Sequence, residues 1–137
     1  MPGETNLGVL LRGLRPALDP REYVFALVER VPAGVAPFAV VHEAEGTTIV
    51  LPGIEATRHG LAGTVVSRCR HITLTVHSSL EAVGLTAAVS SALADRGIAC
   101  NVIAGVHHDH LFVPPDQADD ALDALRGLVR WAHTLQP

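Results

Sequence analysis

From residue 71 to residue 77 the chain alternates: Ile72, Leu74 and Val76 are apolar, while His71, Thr73, Thr75 and His77 are polar. A period of two predicts a strand with one face in a core and the other toward solvent. The next stretch, "SLEAVGLTAAVSSALADRG", changes period. Leu85, Val89, Ala92 and Leu93 fall at i, i+4, i+7 and i+8, which predicts a helix, and Gly97 is placed to end it. "IACNVIAGV" and "HLFVP" predict two more strands. Pro114, Pro115 and Asp116 then open a second helix with Asp116 as its N-cap, running to about Thr134. Its stripe is Ala118, Ala121, Leu122, Leu125, Leu128, Val129 and Ala132.

Strand, helix, strand, strand, helix is the order of a helix-backed antiparallel sheet of ferredoxin-like type, in the α+β class with its helices on one face. That module ends in a fourth strand, which is absent after the last helix. Either the amino half or another subunit must cover the open sheet edge. In the amino half, "NLGVLLRGL", "EYVFALVE", "PFAVVHE" and "TTIVLP" each predict a strand, separated by "RPALDPR", "RVPAGVA" and "AEG". A short helix is expected at Ile54 to His59, and residues 60–70 are expected to connect the halves.

Composition narrows the function classes. The chain has 137 residues with a net charge of -4, acidic and basic residues being interspersed. No basic stripe is present in sequence, so nucleic acid is not an expected partner. No signal-like start and no membrane-length apolar run is present, so neither secretion nor a membrane is expected. Cys69 and Cys100 are too few for a disulfide scaffold, and a cytoplasmic setting is expected. All 10 basic residues are arginine. Without lysine there is no Schiff-base chemistry and no GK[ST] phosphate loop.

The candidate chemistry lies at two polar clusters. A right-handed crossover makes the first strand of the carboxyl half parallel to the strand after the helix. Their carboxyl ends then share an edge, which brings "HSSLEAVG" near "HHDH". Ser78, Ser79, Leu80, Glu81, Val83, Gly84 and Leu85 surround a helix start, where unpaired N–H groups suit a carboxylate. Ser78 and Glu81 also have capping-box spacing, which would satisfy those donors internally. His107, Asp109 and His110 are candidates to line a polar pocket or a subunit contact. A metal on His108, His110 and His77 lacks the spacing of known zinc sites, and no metal or other cofactor is expected. Ser78 or Ser79 with His77 or His110 and Asp109 nominally supply a hydrolase's nucleophile, base and acid. No glycine-flanked nucleophile elbow accompanies them, and no enzyme activity is expected. Glu43 and Glu45 in "HEAEG" either reach toward the other half or form a solvated turn.

"GETNLGVLLRGLRPAL", "YVFALV", "HEAEGTTIVL", "ITLTVHSSLEAVGLTAAVSSALADRGIACNVIAG" and "HHDHLFVP" together resemble a family of small bacterial ACT-domain proteins. The resemblance implies two ACT-like modules packed together, residues 1–66 and 67–137, binding an amino acid or similar small ligand in a regulatory role. It places Val102, Ile103, Ala104 and Gly105, on the strand after the helix, along the ligand pocket; Asn101 at the start of that strand is a further candidate, although such a residue more often satisfies a loop backbone. A homodimer is expected.

Overall fold

The computed structural model describes residues 3, 6–76 and 79–135. The elements in chain order are α1 (Leu7–Arg12), β1 (Pro16–Val28), β2 (Ala39–Glu43), β3 (Gly46–Pro52), α2 (Gly53–Arg58), β4 (Val65–Leu74), α3 (Leu85–Ala94), β5 (Asn101–Ala104), β6 (Asp109–Val113) and α4 (Ala118–His133). Short 3-10 turns precede β4 and α4. Compactness divides the chain into two interleaved units: residues 1–19 with 71–137, and residues 20–70. Strands β1 and β4 each run through both.

The unit of residues 20–70 holds strands in the order β2-β3-β1-β4. Strand β1 pairs antiparallel with β3 (Val24 opposite Leu51, Ala26 opposite Ile49), and β2 pairs antiparallel with β3 (Val41 opposite Thr48). Alternate residues therefore share a face. Val24, Ala26, Ile49 and Leu51 bury themselves with Ala56 of α2 and Leu61. The loop from Glu29 to Phe38 stands where a ferredoxin-like module has its first helix.

The other unit holds β1-β4-β6-β5 with α1, α3 and α4. Ile72 and Leu74 of β4 and Leu111 and Val113 of β6 point to one face. There they meet Leu10 and Leu11 of α1, Leu85, Val89 and Leu93 of α3, and Ala121, Leu122 and Leu125 of α4. Residues Pro16–Asp19 of β1 occupy the place of the missing fourth strand beside β4. The Thr75 N–H and hydroxyl both donate to the Arg15 carbonyl, at 3.0 and 2.6 Å. The amino half completes this sheet.

Several sequence expectations need correction. "NLGVLLRGL" is not a strand but contains α1, whose N-cap Asn6 accepts from the Val9 N–H at 3.1 Å. Leu7, Leu10, Leu11 and Leu14 fall at i, i+3, i+4 and i+7, a helical spacing in which Leu10, Leu11 and Leu14 are buried. "RPALDPR" is not a separator but the start of β1, and the last part of the expected connection is strand from Val65 onward. Asp116 sits in the 3-10 turn, and Gln117 precedes α4 without a side-chain cap. His71, expected on a solvent face, is only 5% exposed. It stacks on Phe112 with ring centroids 4.9 Å apart, so this end of β4 is covered on both faces.

Candidate functional site

The segment from Ser79 to Leu85 and the hairpin of β5 and β6 meet as their topology requires. Ser79, Leu80, Ala82, Leu85, Thr86, Ala104 and Asp109 line a cavity of about 70 Å³. The register explains which hairpin residues take part. Ala104 opposes Asp109 and Val102 opposes Leu111, so these four face the helices. Asn101 opposes Phe112 and Ile103 opposes His110, which puts those four on the other face. The hairpin turn is closed by the Gly105 N–H donating to the His108 carbonyl at 2.9 Å. A Cβ at Gly105 would stand 2.9 Å from that same oxygen, so glycine here belongs to the turn. His107 is exposed in that turn.

The helix start is open. Helix α3 begins at Leu85, and its N-cap Gly84 (φ 99°) supplies no side-chain hydrogen bond. The first helical turn therefore presents Leu85, Thr86 and Ala87 N–H groups without partners inside the helix. The N-cap of α3 is Gly84, farther along the chain than the Ser78 to Glu81 capping box expected from sequence. Instead the Ser79 hydroxyl accepts from the Glu81 N–H at 3.1 Å, forming a local turn. Ser78 and His77 lie outside the described residues. Glu81 and Val83 are exposed. A Cβ at Gly84 would meet Leu7 Cδ2 at 3.1 Å, so glycine here serves the packing of α1 against the start of α3. Thr86 and Ala82 are the lining residues that sequence reasoning missed. Thr86 follows from the helix starting at Leu85, because its side chain then belongs to the first turn.

Asp109 is 9% exposed, on the helix-facing side of β6. Burial pushes its carboxyl above the usual carboxylate range, against a smaller lowering by His110 and His108. His110 points away. Its Nδ1 lies 2.9 Å from His71 Nε2, and His71 Nδ1 lies 3.9 Å from Asp19 Oδ2. Burial pushes the His110 imidazole down, with the His108 charge acting in the same direction and Asp109 opposing. The sequence placed His110 beside Asp109 because they are neighbours in the chain; strand alternation separates them. It also separates the nominal hydrolase set, since His110 is turned to His71 and not to Ser79. Among the described residues, no three His, Cys, Asp or Glu side chains are grouped to hold a metal ion. Burial raises the Cys69 thiol to about 12, with the Glu22 charge adding to it, and burial also raises Cys100. Neither is poised as a thiolate.

An antiparallel sheet backed by helices on one face, with a strand-to-helix loop opening on a cavity, defines a ferredoxin-like domain. The chain belongs to the ACT-domain family. Sequence models of that domain match residues 2–68 and residues 66–127, two domains in tandem. A solved protein of unknown function from Vibrio cholerae is 43% identical, with 90% of this chain and 95% of that one covered and a TM-score of 0.78. A protein from Agrobacterium tumefaciens is similar in fold at 18% identity, 85% and 89% coverage and a TM-score of 0.70. The regulatory subunit of aspartate kinase from Thermus flavus shares the fold at 13% identity, 82% and 95% coverage and a TM-score of 0.61. No match is found among the curated proteins.

Proposed function

We propose that this protein is a regulatory sensor, not an enzyme, and that its carboxyl-terminal ACT domain binds a free amino acid. Residues 1–66 and 67–137 are the two domains of this reading, and a cytoplasmic homodimer is its expected form. The observation that carries it is the pairing of a buried carboxylate, Asp109, with an uncapped helix N-terminus around one cavity. The helix donors suit the ligand's carboxylate, and Asp109 suits its ammonium. A volume of about 70 Å³ is small for a whole ligand, which suits the head of an amino acid with its side chain leaving toward solvent. The kinship in fold with a regulatory subunit of aspartate kinase supports a regulatory role.

Asp109 makes the proposal testable through two opposed effects. Its carboxyl is raised in the fold by burial, so folding penalises the ionised form relative to the protonated one. That preference contributes fully below the unfolded value of about 4 and is lost as pH rises through the folded value. Asp109→Asn should therefore raise the melting temperature of the ligand-free protein at pH 7, with the gain shrinking on acidification toward pH 4. The same variant should weaken amino-acid binding roughly tenfold to over a hundredfold, the loss of one charge-assisted hydrogen bond. A thermal-shift survey of the amino acids, followed by calorimetric titration of both proteins, measures both. No amino acid raising the melting temperature, or equal affinity in the variant, overturns the reading. Sedimentation at tens of micromolar tests the dimer, and a monomer there contradicts it.

A further inference from the structure

Arg15 is far in sequence from Arg126 and Arg130 of α4, yet all three line one open groove of about 380 Å³ whose remaining walls are Leu14, Pro16 and Val129. All six residues belong to the unit of residues 1–19 and 71–137. Among the described residues no acidic side chain lines it. Asp123 is the carboxylate that feels Arg126 and Arg130, but it is committed to Arg96 at 2.7 Å, which is also the first cause of its lowered pKa. Arg130 and Arg96 both approach Gly127, within 3.6 and 3.9 Å of where its Cβ would stand, so a fourth guanidinium borders the patch. Among the described residues, Arg15, Arg126 and Arg130 enter no hydrogen bond or ion pair through their guanidiniums.

That convergence is unusual for this chain. Its 14 acidic residues outnumber its 10 basic ones, so partners for three arginines are plentiful elsewhere. Like charges four apart on a helix repel, as Arg126 and Arg130 do on α4. The negative end of the α4 dipole offsets this for Arg130 but accounts for neither Arg15 nor the apolar floor. We propose that the groove binds a small ligand with a phosphate head on an apolar body. Planar guanidinium forks match such oxygens two at a time, and Leu14, Pro16 and Val129 receive the body. The site is distinct from the Asp109 cavity, which shares none of its lining residues.

The test uses the whole protein at about 0.15 M salt, where distant surface charge is screened. Phenyl phosphate is the first probe, inorganic phosphate the second, and vesicles containing phosphatidic acid the third, each titrated against wild type, Arg15→Gln and the double variant Arg126→Gln/Arg130→Gln. Saturable one-to-one binding of phenyl phosphate, tighter than inorganic phosphate and weakened at least tenfold in the double variant, is expected. Arg68→Gln, paired with Glu22 at 3.1 Å in the other unit, should leave it unchanged. Vesicle binding that falls in the same variants, without phenyl phosphate binding, overturns the soluble ligand and assigns the groove to a lipid headgroup. Absence of saturable binding to any probe, or equal affinity in the arginine variants and wild type, overturns the site.

Discussion

Phe112→Ala should cost about 3–5 kcal/mol and lower the melting temperature by on the order of 10 °C, the largest effect expected from a single truncation here. Phe112 is 1% exposed, on the side of β6 opposite the three helices. Its ring lies parallel to His71 within 10° at 4.9 Å, and His71 in turn meets His110. Removing the ring leaves a cavity and takes the stacking partner from a buried imidazole. The loss is thus larger than transfer of the ring alone. Trp131, 53% exposed on α4, is the control: Trp131→Ala should change stability by no more than about 0.5 kcal/mol. Urea denaturation of the two variants decides the matter. Equal midpoints would mean that the far face of this sheet is not a packed layer.

Gly84→Val is expected to be the second most damaging change, and for two separable reasons. The backbone there has φ 99°, a left-handed conformation that costs a branched residue about 1–3 kcal/mol. The added Cβ would also stand 3.1 Å from Leu7 Cδ2, tying α1 to the start of α3. Gly97 allows the two terms to be distinguished, since its φ is 71° but nothing lies within 4 Å of its would-be Cβ. Gly97→Ala should carry the backbone cost alone, and Gly84→Ala the backbone cost plus the contact. Adding Leu7→Ala to Gly84→Ala should recover part of the difference. If Gly84→Ala and Gly97→Ala unfold at the same urea concentration, the Leu7 contact is not limiting. Because Gly84 is bound into the fold, it is a poor position for testing ligand binding; Asp109 is the better one.

Both predictions concern features that a linear pattern conveys unequally. The α3 stripe of Leu85, Val89 and Leu93 was plain from its spacing, as was the stripe of α4, because those helices bury one face in a single core. Helix α1 carried an equal signal in Leu7, Leu10, Leu11 and Leu14, but a continuous apolar run of that length also suits a strand. What decided it was Asn6 capping the first turn. The meeting of the Ser79–Leu85 segment with Asp109 followed from handedness alone. Which hairpin side chains enter that cavity did not, since it depends on register, and a one-residue change of phase moves Asp109 and His110 to opposite faces. The arginine groove was beyond linear reading for a different reason: its charges come from positions 15, 126 and 130.

The interleaving of the units has a consequence for synthesis. Helix α1 and the start of β1, within residues 1–19, pack with residues that follow His71, up to and including α4. They leave the ribosome well before the segment that buries Leu10 and Leu11. At about 5–20 residues per second the delay is on the order of ten seconds. During it an apolar hexapeptide waits without its partners, a natural target for a chaperone. The unit of residues 20–70 is under no such constraint, because its strands emerge consecutively. Nascent chains arrested once residues 1–75 have cleared the ribosome should accordingly protect β3 from protease while Leu10 remains cleavable.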